Sequence, residues 1–218
     1  MRYQIFHNTT YTYERPVYLE PHTVRLRSRT NGNQTLHRFS LEISPEPVGV
    51  SEILDLEGNA VTKIWFNEPT NHLSIKVASE VETHCTNPFH YLLEPWAIHL
   101  PIDYSSSMLN QLQPYLQPQK IPATPDPIIY ELAQEICHEV DRKTDLFLTQ
   151  LNQKIYDNCK HTIREKGAPL PAGITWKQKL GSCRDLAVVF IEVCRAVGLA
   201  ARFVSGYREG DVTKEERH

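Results

Sequence analysis

The pattern of hydrophobic and polar positions changes its period part-way along the chain. From residue 1 to about residue 112, apolar and polar positions alternate in short runs rich in β-branched and aromatic residues. The clearest run is His72 to Glu82, which predicts one apolar face made of Leu73, Ile75, Val77 and Val81. Short strands separated by Pro and Gly turns predict a sandwich-like β domain.

Five runs in this region are predicted as strands: Arg2–Tyr13, Thr23–Arg29, Leu36–Ile43, Val61–Phe66 and His72–Glu82. The last two are separated by only residues 67–71, so we expect them to pair as a hairpin. Arg25, Arg27 and Arg29 alternate with apolar residues. A solvated strand face explains them better than a site for an acidic partner.

A proline-rich segment follows. Residues 113–127 contain five prolines and few large apolar residues, which predicts an extended connector. The predicted domains are therefore a β-rich domain at 1–112, a linker at 113–127 and a helical core at 128–218.

Beyond the connector the pattern becomes helical. Asp126-Pro127 is a typical helix start, and the positions that follow predict an apolar face of Ile129, Leu132, Ala133, Ile136 and Val140. A second helix is predicted from about Leu146 to Asn158, burying Leu148, Leu151 and Ile155. Ala201 to Arg208 alternates and is predicted as a strand.

The most informative motif is Gly181-Ser182-Cys183-Arg184-Asp185, which opens a third helix that is apolar on nearly every side and ends near Val197. Ser182 and Asp185 have the spacing of a capping box, so they are predicted as caps and not as catalytic groups. Gly198 is the expected left-handed residue after the helix.

A cysteine in the first turn of a helix lies where the helix dipole and free N–H groups favour a thiolate and an oxyanion. Residue chemistry alone leaves two readings of Cys183 open, a nucleophile and an ordinary packed thiol. The other four cysteines, Cys85, Cys137, Cys159 and Cys194, are predicted to be structural.

Composition narrows the classes of function. The chain has 218 residues, a net charge of −3 and 40% hydrophobic residues, which is typical of a globular protein and gives no indication of nucleic-acid binding. No apolar run approaches membrane-spanning length, and residues 1–7 do not resemble a secretory signal. Five cysteines in no framework spacing indicate a reducing compartment, so we expect a cytoplasmic location. No zinc motif occurs, and neither a metal nor a cofactor is predicted.

Two blocks resemble a known family. Gly181 to Ala187, and Cys194 to Tyr207 after it, resemble the transglutaminase-like superfamily, whereas Tyr11-x-Tyr13, Pro21-His22-x-x-Arg25 and Asp55-x-x-Gly58-Asn59 resemble the bacterial transglutaminase-like N-terminal region. The resemblance implies an α+β chain, with a β-sandwich-like N-terminal domain before a papain-like core. It also implies a Cys-His-Asp triad that cleaves or transfers amides through a thioacyl intermediate, with Cys183 as the nucleophile.

The resemblance departs from the family pattern at the C-terminal end. The family's histidine lies in a His-Ala-Trp motif on a later strand, followed by its acid, and neither is present in this sequence. We do not expect His218 to act as the base, because it is the final residue and lies among charged neighbours. The expectation is therefore a truncated core that is inactive by itself, from a parent that acts on peptide or protein amides by hydrolysis rather than crosslinking. The alternative is a non-catalytic peptide- or protein-binding module, and the oligomeric state stays open.

Overall fold

The computed structural model describes residues 1–87, 91–117, 126–164 and 166–209 of the chain. The predicted α+β class is confirmed, because antiparallel sheets come first and a helical core follows. Two compact units are present, Met1–Tyr91 and Leu92–His218.

The first unit contains two three-stranded antiparallel sheets. The six strands are β1 (Arg2–Val17), β2 (His22–Val24), β3 (Gln34–Ser44), β4 (Gly49–Leu54), β5 (Ala60–Trp65) and β6 (Thr70–Thr83). One sheet has the order β1-β6-β3 and the other the order β2-β5-β4. A shared apolar cluster joins the two sheets, with Val24 and Ile64 from one sheet, Leu73 and Ile75 from the other, and Leu19 from the connection between β1 and β2. The predicted sandwich-like packing is thus confirmed.

The predicted alternation along β6 is also confirmed, since Leu73, Ile75, Val77 and Val81 are all buried. The predicted hairpin between Val61–Phe66 and His72–Glu82 is wrong. β5 and β6 are the central strands of different sheets, and β6 pairs with β1 and β3 instead. Proximity in sequence favoured the hairpin, but two central strands bury more apolar surface when each has two neighbours.

One strand is shorter than predicted, and one further strand was not predicted. The strand predicted at Thr23–Arg29 extends only over His22–Val24, because β5 pairs with those three residues alone. β4 was not predicted. It pairs along its whole length with β5, although Val50 and Leu54 on it are exposed.

The second unit is mainly helical. Its elements are a 3₁₀ turn at Pro95–Ala97, α1 (Ser106–Leu116), α2 (Pro127–Glu139), α3 (Thr144–Asn158), β7 (Lys160–His161), α4 (Ala172–Gln178), β8 (Leu180–Gly181) and α5 (Cys183–Ala196). One core joins α2, α3, α4 and α5, and its fully buried members include Ile129, Ile136, Phe147, Leu151 and Val189. No helix in the described part of the chain is long and apolar enough to cross a membrane.

The first two predicted helices of this unit are confirmed, with small differences. Asp126 accepts a hydrogen bond from the Ile128 N–H at the start of α2, and Pro127 is its first residue. In α3 the fully buried aromatic is Phe147, which the sequence reading passed over, whereas Leu148 is only partly buried.

The extended connector predicted at 113–127 begins inside a helix. Residues 113–116 are the last turn of α1, and Pro114 lies inside this helix, where it cannot donate a backbone hydrogen bond to the Asn110 carbonyl. Residues 92–112, predicted with the β-rich region, hold the 3₁₀ turn and most of α1. Residues 118–125 lie outside the described residues.

The strand predicted at Ala201 to Arg208 is not formed. The Ala201 N–H donates to the Tyr115 carbonyl at the end of α1, and no neighbouring strand pairs with residues 201–209 among the described residues. Alternation of side chains alone does not make a strand without a partner for its backbone.

Candidate active site

Cys183 is the first residue of α5, and its side chain is exposed. From Arg184 to Ala196 no residue of the helix is exposed, as the apolar pattern predicted. The helix ends with Gly198 at φ 79°, the left-handed conformation expected of that residue. The thiol therefore lies at the exposed N-terminal end of α5, and the rest of the helix packs into the core.

The capping box between Ser182 and Asp185 is confirmed. The Ser182 N–H donates to Asp185 Oδ2 at 2.8 Å, and the Ser182 hydroxyl donates to the same oxygen at 2.6 Å. At the first two helical positions, the N–H groups of Cys183 and Arg184 have no acceptor within the helix. The capping box thus fixes the first turn of α5. The backbone N–H groups of Cys183 and Arg184, which lie nearest the thiol, remain without an intrahelical acceptor.

Asp185 does more than cap the helix. Its Oδ1 atom accepts from the Leu170 N–H at 2.7 Å and from Arg164 Nη2 at 2.6 Å. The side chain is only 1% exposed, so this charge is held entirely by protein donors. Burial alone would raise the pKa of Asp185, but hydrogen bonds from Ser182, Leu170 and Arg164 outweigh burial and hold the pKa well below its usual range.

The same contacts hold a loop beside the thiol. Arg164 Nη2 also donates to the Ala168 carbonyl at 2.9 Å, while Arg184 Nη2 donates to the Arg164 carbonyl. Arg184 and Asp185, the two residues that follow Cys183, therefore both form hydrogen bonds with Arg164. Sequence reading missed Arg164, since 21 positions separate it from Asp185 and no local pattern connects them.

A short parallel pair of strands leads into the site. β7 and β8 place His161 opposite Gly181, and the Thr162 N–H donates to the Gly181 carbonyl at 2.9 Å. Gly181 is buried, and a Cβ there would lie 2.9 Å from Thr175 Cγ2 and 3.0 Å from Asp185 Cβ. A close approach of backbone to side chains therefore requires this glycine.

The five cysteines are all free and differ in their surroundings. Burial raises the pKa of Cys194 to about 12, and it also raises the pKa values of Cys137 and Cys159. Only Cys85 and Cys183 are exposed. Cys85 lies after the end of β6, so Cys183 is the exposed thiol that stands at the start of a helix.

Two parts of the chain match families of known proteins. Residues 130–218 match the transglutaminase-like superfamily, and residues 3–82 match the bacterial transglutaminase-like N-terminal region. Residues 130–218 are therefore transglutaminase-like. The resemblance seen in the sequence is thereby confirmed, and Cys183 with its cap and its loop lies within the transglutaminase-like core.

The related proteins are longer than this chain. Uncharacterized proteins of Mycobacterium bovis and Mycobacterium tuberculosis are each 28% identical to it over 216 residues, covering 96% of this chain and 67% of theirs. A solved structure described as a "putative cysteine protease" from Cytophaga hutchinsonii superposes with a TM-score of 0.63 at 17% identity. That match covers 90% of this chain and 66% of the solved chain, and it supports the fold. The chain spans about two thirds of the length of these proteins.

Among the other aromatic and histidine side chains of this unit, His161 lies on β7 opposite Gly181, two residues before Cys183. Trp176 packs partly against the core, and Lys179 Nζ lies 3.0 Å from its ring centroid. Tyr156 is 79% exposed on α3, and His138 and His161 are exposed. His218 lies outside the described residues. No hydrogen bond joins Cys183 to a histidine within the ranges that the structure describes.

Proposed function

We propose that Cys183 is the nucleophile of a transglutaminase-like cysteine enzyme that acts on peptide or protein amides. One observation carries the proposal: within a transglutaminase-like core, the exposed thiol occupies the first position of a buried helix. The N–H groups of the first turn are available there to an oxyanion.

The chemistry follows from that placement. The Cys183 thiolate adds to the amide carbonyl carbon, and the N–H groups at the helix end stabilise the negative charge that develops on oxygen. The C–N bond then breaks, and the leaving amine takes a proton from a protonated histidine. Water next attacks the thioester and loses a proton to that histidine, which releases a carboxylic acid and restores the thiolate.

We infer that the histidine and the acid of the triad are supplied by residues beyond those described. The described residues support this inference because Asp185 is committed to four hydrogen bonds and no hydrogen bond joins Cys183 to a histidine among them. The 218-residue chain by itself is therefore proposed to be inactive. Hydrolysis is proposed over crosslinking, since it requires only water as the acceptor.

The parent's activity on amide substrates provides the test. A parent carrying Cys183→Ser should lose at least about a thousandfold in kcat/KM, because the thioacyl step is abolished. Cys85→Ser is the matched control, since it removes the other exposed thiol and should leave kcat/KM unchanged. Activity that survives Cys183→Ser would contradict the assignment of Cys183 as the nucleophile, whereas a wild-type parent without activity on amides would favour a non-catalytic binding module.

We further propose a reducing, cytoplasmic setting. Support comes from the five free cysteines, two of them exposed. Fractionation of the native host should recover the parent in the cytoplasm, and recovery from an oxidising compartment would contradict this setting.

A further inference from the structure

Each sheet of the first unit has two edge strands, β1 and β3 in one sheet and β2 and β4 in the other. β3 ends the sheet of order β1-β6-β3, and β4 ends the sheet of order β2-β5-β4. Each therefore has one strand neighbour among the described residues, and its other side presents backbone N–H and C=O groups without a strand partner. Natural proteins usually cover or blunt such edges, and an uncovered one is a template for another strand.

Beside these edges lies an open groove of about 600 Å³, lined by both charged and apolar side chains. Leu41 and Ile43 on β3 pair with Val77 and Ile75, which are buried, so their side chains belong to the inner face. Val50 on β4 pairs with fully buried Ile64, yet it remains 55% exposed. Val50 is thus an exposed apolar side chain next to the buried cluster of the sandwich.

The charged residues of the groove are mostly acidic. Arg27, Glu42, Glu46 and Glu52 line it. Arg27 is paired with Glu52 at 3.5 Å and lies 5.2 Å from the Phe39 ring centroid. Among the described residues, Glu42 and Glu46 form no ion pair within 4 Å. Lys76 is opposite Glu42 in register but belongs to β6, on the side of β3 away from the free edge.

We propose that this groove binds an extended basic peptide segment, which adds to the free edge of β3 as a further strand. Side chains on an added strand alternate between the two faces of the sheet. Apolar side chains at every second position enter the groove beside Leu41, Ile43 and Val50. The lysine or arginine side chains between them lie on the outer face, next to Glu42, where opposite charges on neighbouring strands attract. Backbone hydrogen bonds supply the remaining affinity, as in other cases of β-strand addition.

The proposal is independent of the chemistry at Cys183, so each can fail without the other. The probe is a fluorescein-labelled peptide, Val-Lys-Val-Lys-Val-Lys-Val, added to the 218-residue chain and followed by fluorescence anisotropy. We expect saturable binding, together with protection of β3 amides against hydrogen exchange. A peptide of the same composition with its lysines in one block should bind at least about tenfold more weakly, because it cannot place apolar side chains on one face.

Charge is tested with a matched pair of double variants. Glu42→Lys with Glu46→Lys should weaken binding by about tenfold or more, because two attractive contacts become repulsive. Glu14→Lys with Glu20→Lys makes the same change in net charge near β1 and β2, the opposite edges of the two sheets, and should leave binding within about twofold. Equal weakening by both pairs would overturn the proposal in favour of non-specific attraction.

Strand addition is tested without altering the protein. A probe with N-methylated valines loses backbone donors but keeps its charge and apolar groups, so it should bind at least about tenfold more weakly. Undiminished binding of the methylated probe would overturn the strand geometry. Absence of binding by the unmethylated peptide at millimolar concentration would overturn the proposal. Sedimentation that shows a dimer dissociated by the Glu42→Lys, Glu46→Lys pair would also overturn it, since a second copy would then occupy the groove.

Discussion

At the scale of single residues, the distinction that matters is between an exposed thiol and an activated one. Cys85 and Cys183 are both exposed, but only Cys183 occupies the first position of a helix. Exposure alone predicts equal reactivity for the two. A contribution from the helix end predicts that Cys183 reacts faster.

Alkylation of the intact chain with iodoacetamide near neutral pH separates these cases. We expect Cys183 to be modified at least about threefold faster than Cys85, an effect of the size expected for a helix terminus. Cys194 should be slowest, because it is buried and its pKa is raised to about 12. Peptide mass spectrometry at timed intervals gives the five rates. Equal rates for Cys183 and Cys85 would show that the helix end does not activate the thiol in this chain.

Asp185→Asn should destabilise the protein by about 3 kcal/mol at neutral pH, because it breaks the buried pair with Arg164. The folded-state pKa of Asp185 lies below its unfolded value, so its contribution is present above about pH 4 and is lost as the pH falls. Urea unfolding at pH 7 and pH 3 measures both effects.

Asp145→Asn is the control for this prediction, since Asp145 lies in the first turn of α3 but is exposed. It should change the free energy of unfolding by less than about 1 kcal/mol. If the difference between wild type and Asp185→Asn were the same at both pH values, the ionised carboxylate would not be the stabilising species.

The sequence allowed the cap to be predicted but not the network around it. Ser182 and Asp185 are three positions apart, and that spacing has a local physical meaning. The contacts from Arg164 and Leu170 bridge 21 and 15 positions and depend on the path of the chain between them. The role of Asp185 in holding the loop was therefore visible only in the structure.

At the scale of elements, a buried arginine connects α5 to its surroundings. Arg195 Nε donates to the Tyr115 carbonyl at 3.0 Å, and Nη2 donates to the Ala201 carbonyl at 2.8 Å. Its side chain is 5% exposed, and Nη1 lies 3.1 Å from Glu192 Oε1. The forked guanidinium thus joins the end of α1 to the segment that follows α5.

Arg195→Lys should lower the free energy of unfolding by about 1–3 kcal/mol, because a lysine retains the charge but cannot replace the fork. Local opening should also increase at Ala201, whose N–H donates to the Tyr115 carbonyl. Hydrogen exchange at that amide is the measurement. Arg208→Lys, at an exposed position, is the control. Unchanged protection at Ala201 would contradict the role assigned to Arg195.

The elements predicted well are those whose signal is local. α2 and α5 have caps and periodic apolar faces, and the predicted start of α2 and the predicted end of α5 agree with the structure to within one residue. The strands that β5 and β6 pair with could not be derived in that way. The order of strands in a sheet is set by contacts between distant parts of the chain. The alternation along one strand contains no information on its partner.

At the scale of the whole molecule, the chain combines two regions that match different family descriptions, a β-rich unit and a helical core. The sequence predicted this order of classes because the hydrophobic period changes between them. It placed the change at the proline-rich segment, whereas helical structure already begins before it, at α1. Proline content indicated an extended chain there, but α1 continues to Leu116 with Pro114 inside it.

The most direct test of the account is covalent trapping on the parent protein. The parent is incubated with an activated acyl-amide probe, and the acylated residue is identified by peptide mass spectrometry. We predict a thioester at Cys183 that is absent in Cys183→Ser and unaffected by Cys85→Ser. Acylation at another residue, or equal labelling of the Cys183→Ser protein, would contradict the assignment of Cys183 as the nucleophile.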